Sequence, residues 1–66
     1  MDTSGFYKLY EDGSVAYAPN FVYGPNITLE RENKHIYNYP DDGWFWFDTI
    51  EEAYSYFNIE LPTQEN

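Results

Sequence analysis

The stretch that decides the fold is Trp44-Phe45-Trp46-Phe47-Asp48-Thr49-Ile50-Glu51-Glu52-Ala53-Tyr54-Ser55-Tyr56-Phe57-Asn58. Its first four residues are all aromatic, the composition of a central strand with both faces covered. Successive strand side chains point to opposite faces, so Trp44 and Trp46 share one side and Phe45 and Phe47 the other. The period then changes. Asp48 with Glu51, or Thr49 with Glu52, gives a capping box, and acidic residues in a first turn suit the helix dipole. Ile50, Ala53, Tyr54 and Phe57 follow at i, i+3, i+4 and i+7, one apolar helical stripe. Asn58 tolerates the left-handed conformation that stops a helix.

Upstream, residues 6–10 are rich in β-favouring aromatics, and 15–18 form the returning strand across a turn containing Asp12-Gly13. Pro19-Asn20 interrupts that strand, and Phe21-Val22-Tyr23 continues it past a bend. Gly24-Pro25-Asn26 is a turn, and Ile27-Thr28-Leu29-Glu30 alternates as a half-buried strand does. Residues 31–34 read as a polar turn, 35–37 as a further strand reaching towards Tyr39, and 40–43 as a third turn ending in Asp-Gly. Downstream of the helix, Ile59 and Leu61 are placed to pack back onto the body. The expected fold is α+β: a small antiparallel β-meander of four to five strands with one C-terminal α-helix packed on one face. It occupies a single domain, 1–66, with an ordered core at about 6–61 and flexible tails at 1–5 and 62–66.

Composition narrows the function. The chain has 66 residues, no Cys and one His, so disulfides, thiolate metal sites and a histidine metal cluster are excluded and no cofactor is expected. Small domains bury a low share of their surface; here the compensation is aromatic, with eight Tyr, five Phe and two Trp. The net charge is −9, with Lys8, Arg31 and Lys34 as the only cations. That argues against direct binding to nucleic acid or to anionic membranes, both of which need Lys and Arg. A charged partner should be a basic protein. The polar start, residues 1–5, shows no targeting segment, and a cytoplasmic location is expected. Asn26-Ile27-Thr28 matches a glycosylation sequon, read here as chance.

Catalysis fails on parts. There is no Cys nucleophile, no Gly-x-Ser-x-Gly and no phosphate-cradling glycine loop, and His35 stands beside Lys34 without a partner. Asp41-Asp42-Gly43 lacks the spaced ligands of a calcium loop and reads as a turn. What remains is surface. One short helix cannot cover both faces of a five-strand sheet, so the second face is expected to carry exposed aromatics that bind a partner or a second copy. The alternative is a sheet that coils on itself and hides both faces. The candidate partner-binding residues are Trp44, Trp46, Tyr37 and Tyr39, with Glu30, Glu32, Asp41 and Asp42 as the carboxylates that select a basic partner. Those carboxylates either mimic nucleic-acid phosphates towards a DNA-binding protein or serve only solubility.

Residues 39–49, with Glu51-Glu52-Ala53-Tyr54, Phe57 and the upstream Tyr17-Ala18-Pro19-Asn20-Phe21-Val22, resemble small acidic proteins of unassigned function encoded by tailed phages of cyanobacteria and related marine viruses. The resemblance spans most of residues 6–61 and carries no catalytic residues. It implies an intracellular protein in an infected host, one that binds a host protein; the expected role is that of a phage-encoded modulator or inhibitor of that protein. The expected function is therefore a non-enzymatic acidic protein-binding module; the alternative is a self-associating structural or accessory protein, a homodimer with no outside partner.

Overall fold

The computed structural model describes residues 2–61. Met1 and residues 62–66 lie outside the described residues, and with them the expected loose C-terminal tail. Five strands and two helical elements follow in order: β1 (Gly5–Leu9), β2 (Val15–Ala18), β3 (Phe21–Gly24), β4 (Ile27–Glu30), the 3-10 helix η1 (Arg31–Ile36), β5 (Trp44–Phe47) and α1 (Ile50–Phe57). All strand pairings are antiparallel, and the chain is α+β.

Two expectations about the strands need correction first. The strands do not form one meander: they make a three-stranded sheet, β2-β1-β5, and a separate hairpin, β3-β4, so Phe21-Val22-Tyr23 does not continue β2 but leaves its sheet after Pro19-Asn20. The tetra-aromatic strand β5 is therefore at the edge of its sheet, and β1 is the middle strand. The second correction concerns residues 35–37. His35 and Ile36 end η1 and Tyr37 follows it in extended conformation, so no strand forms there. The segment is two short turns that meet at Asn33, whose φ of −115° and ψ of 16° are not helical. Ile36 is left exposed.

Register sorts the side chains of the larger sheet. Phe6 opposes Trp46 and Ala18, and Lys8 opposes Trp44 and Ala16, so these residues share one face. Tyr7 opposes Phe45 and Tyr17, and Gly5 opposes Phe47, on the other. On that second face the Phe45 ring lies 4.9 Å from Tyr56 and 5.8 Å from Phe57 of α1, and Phe47 lies at 5.7 and 5.8 Å from the same two rings. On the first face, Phe6 is fully buried in a cluster with Ile27 and Leu29 of the β3-β4 hairpin. Ala18, Val22, Tyr37, Tyr39, Trp44 and Trp46 pack around that cluster. The sheet face left over by the helix is thus covered by the chain's own second hairpin, and the mismatch expected between one helix and two apolar faces is resolved internally.

Residues 2–5, expected as a loose lead, are tied down. The Ile50 N–H donates to Thr3 Oγ1 at 2.8 Å, joining this segment to the start of α1. The Tyr7 hydroxyl donates to the Thr3 carbonyl, the Tyr17 hydroxyl to the Ser4 carbonyl at 2.9 Å, and Arg31 Nη2 to Ser4 Oγ at 2.8 Å. Asp2 accepts from both the amide and the hydroxyl of Ser4, which holds its carboxyl below the usual carboxylate range. Gly5 must be glycine: a Cβ there would sit 2.6 Å from Tyr17 Cε1 and 2.9 Å from the Ala18 carbonyl oxygen. Burial dominates the two interior phenols, pushing Tyr7 and Tyr39 up to about 12.

The local signals around α1 hold. Thr49 is the N-cap, and its hydroxyl accepts from the Glu52 N–H at 3.1 Å. The Glu52 carboxylate in turn accepts from the Asp48 N–H at 3.1 Å, one residue before the cap rather than at it. Asn58 adopts the left-handed conformation, and its N–H donates to the Ser55 carbonyl. Asp41 and Trp44 close a tight hairpin through paired backbone bonds of 3.0 and 3.1 Å, with positive φ at both Asp42 and Gly43.

Candidate functional site

The eight residues singled out from the sequence divide into three groups. Trp44, Trp46, Tyr37 and Tyr39 are half-buried and pack against the core cluster. They line no open sheet face. Trp46 is the most heavily engaged: its ring meets Phe6 edge-on at 5.0 Å, and its indole N–H donates to Asp48 Oδ1 at 3.1 Å. Two cations also lie over it, Arg31 at 5.2 Å and Lys34 at 4.9 Å from the ring centroid.

Asp41 and Asp42 form the turn into β5. Asp42 is exposed and lies 3.9 Å from Lys8 Nζ. Among the described residues, no group of three or more His, Asp or Glu side chains is placed to hold a metal ion.

Glu30 and Glu32 belong to a different surface, which the choice of candidates missed. In the β3-β4 hairpin Val22 opposes Leu29 and Gly24 opposes Ile27, and these face inward. Phe21 opposes Glu30 and Tyr23 opposes Thr28, and these face outward. Phe21 is 53% exposed and Tyr23 60%. Their rings stack on each other at 4.6 Å with an interplanar angle of 19°. The Tyr23 hydroxyl donates to Glu30 Oε2 at 2.7 Å, and Asn33 Nδ2 donates to Glu30 Oε1 at 3.2 Å. That phenol is held above its usual pKa, first by the bond to Glu30 and then by partial burial and the negative fields of Glu30 and Glu32. Two stacked rings and the Glu30 carboxylate therefore share one outer face, and exposed Glu32 follows two residues after Glu30, in η1.

A sequence signal for this surface exists. Val22, Ile27 and Leu29 are the aliphatic set of the hairpin, so they take the core side, and strand alternation forces Phe21 and Tyr23 outward.

The cations are all occupied. Lys8 pairs with Asp42 and lies 5.4 Å over the Tyr10 ring. Arg31 donates to the Pro19 carbonyl and to Ser4, and lies 3.9 Å from Asp2. Lys34 sits over Trp46. By contrast Glu11, Asp12, Glu32, Glu51, Glu52 and Glu60 are exposed, and none has an ion-pair partner among the described residues. No helix among the described residues is long and apolar enough to cross a membrane. Comparison with protein-family models, with curated proteins and with solved structures gives no match.

Proposed function

We propose that this chain is a non-enzymatic acidic protein-binding module whose partner is a basic protein. The observation that carries the reading is the disposition of charge. Lys8, Arg31 and Lys34 are each spent on contacts within the chain, while among the described residues Glu11, Asp12, Glu32, Glu51, Glu52 and Glu60 stand exposed without an ion-pair partner. Such a surface repels nucleic acid and its own copies and attracts cationic protein surfaces. The phage resemblance adds a setting, the cytoplasm of an infected host, and a role as modulator or inhibitor of a host protein.

Charge density bears on the mimicry variant. A DNA duplex carries one charge per ~1.7 Å, or roughly 21 over the 36 Å long axis of this protein. The whole chain has 12 Asp and Glu side chains. Recognition of a basic protein surface needs no closer match, whereas imitation of a duplex would.

Affinity capture with the intact chain tests the reading. A basic protein should be retained at about 150 mM salt and released as screening increases. Retention that ignores salt, or a stable homodimer with nothing else bound, would contradict it. DNA added as competitor isolates mimicry: displacement supports that variant, and unchanged retention removes it while leaving protein binding in place.

A further inference from the structure

We infer that the outer face of the β3-β4 hairpin, built on Phe21, Tyr23 and Glu30 and continued along the chain by exposed Glu32 of η1, is the docking surface for an arginine-bearing segment of the partner protein. This rests on the reading of the partner as basic and adds where it binds and what side chain is recognised.

The location follows from what the core does not use. Phe21 and Tyr23 are among the most exposed large apolar residues, yet they lie side by side on one strand. An exposed aromatic pair held in a fixed stack presents rigid apolar area at little further entropy cost on binding. The hairpin that carries it is anchored from beneath by buried Ile27 and Leu29. The two rings thus form a preset platform on the outside of a structural element.

The occupant follows from charge. Glu30 bonds directly to Tyr23, and exposed Glu32 follows two residues later in the chain. The nearest cation in sequence, Arg31, turns its guanidinium away to Pro19, Ser4 and Asp2, and Lys34 is drawn to Trp46. An aromatic surface bordered by carboxylates with no cation of its own suits a guanidinium, which is planar, weakly hydrated, stacks on rings and pairs with carboxylates. A lysine ammonium gains the charge but not the planar stacking. A second copy of the chain is disfavoured, because it would bring the same two carboxylates and a net charge of −9 to the interface.

The test is a titration of the intact protein, followed by NMR, with a short amidated peptide of alternating arginine and serine and with its lysine counterpart, at about 150 mM salt. Shift changes should concentrate on Phe21, Tyr23 and Glu30, with the arginine peptide binding several-fold more tightly. Phe21→Ser with Tyr23→Ser should weaken binding about tenfold without changing net charge. Glu32→Arg and Glu11→Arg separate site from bulk charge, since both alter net charge equally and both positions are exposed. Loss of binding in Glu32→Arg alone supports the site. Equal loss in both, or shift changes scattered over the acidic surface, overturns the site while leaving the basic-partner reading intact. Failure of the wild-type protein to bind either peptide also overturns the site, and the basic-partner reading is then judged by the capture experiment alone.

Discussion

Phe6→Ala removes a large share of the chain's stability, read as a fall of about 12–40 °C in the midpoint of the cooperative melting transition. Phe6 is fully buried in the middle strand, at the junction of the two sheets. It touches Trp46 edge-on at 5.0 Å and Tyr39 at 6.3 Å, and it packs against Ile27 and Leu29. Truncating a buried Phe to Ala costs about 3–5 kcal/mol through lost transfer energy and the residual cavity. A domain of this length has a total stability of roughly 3–10 kcal/mol. No disulfide exists to limit the loss. A variant that melts within a few degrees of wild type would show that the two sheets do not depend on this ring.

The second large effect is at Trp46, and it settles which aromatic residues hold the fold and which are free for partners. From the sequence alone, Trp46 fits either role. In the structure it supports Phe6, receives two cations over its ring and anchors its indole N–H on Asp48. Trp46→Ala is expected to cost about 2–4 kcal/mol, less than a fully buried Trp because the ring is only half-buried. Melting should fall by about 8–32 °C, given ~4–8 °C per kcal/mol in a domain of this size. Trp46→Phe should recover most of the loss, because the edge-on contact with Phe6 survives. The Phe21→Ser and Tyr23→Ser pair should melt close to wild type, since both side chains are largely exposed. A Trp46→Ala variant that melts like wild type would return Trp46 to the docking surface.

What was legible in the sequence was what is local. The Asp12-Gly13 turn, the strand 15–18, the strand 27–30, the Thr49–Glu52 cap and the Asn58 stop are each encoded within a few neighbouring residues, and each appears. The path of the chain between sheets was not legible. That β5 returns to pair with β1 joins residues about forty apart, and nothing in either strand's own pattern names its partner. The tetra-aromatic run reads as a central strand because every position is apolar. It is an edge strand whose two faces are covered by different elements, aromatic residues of α1 on one side and the packing around Phe6 on the other. Residues 35–37 misled for a related reason. Ile36 and Tyr37 are β-favouring, but without a neighbouring strand to pair with, the backbone closes short-range 3-10 bonds instead.

The candidate site shifted for the same physical cause. Counting faces against helices left one aromatic face uncovered, and Trp44, Trp46, Tyr37 and Tyr39 were its natural occupants. The alternative kept beside it, a sheet that coils on itself and hides both faces, is nearer to the structure, but the cover comes from a separate hairpin of the same chain. Once β3-β4 covers that face, its aliphatic side turns inward and its aromatic side becomes the open surface. Glu30 and Glu32 keep their place as partner-selecting carboxylates in the proposal, now beside Phe21 and Tyr23 rather than beside the tryptophans.

The most direct measurement is an isotope-filtered NOE experiment between the Phe6 ring and the methyl groups of Ile27 and Leu29, in a mixture of labelled and unlabelled protein. Cross-peaks confined to within one molecule, persisting on dilution, are the predicted result: the second hairpin of each chain seals its own sheet. Cross-peaks that pass between labelled and unlabelled molecules, or that vanish on dilution, would mean that another copy supplies the cover, and the outer face of β3-β4 would lose its claim to be the open one.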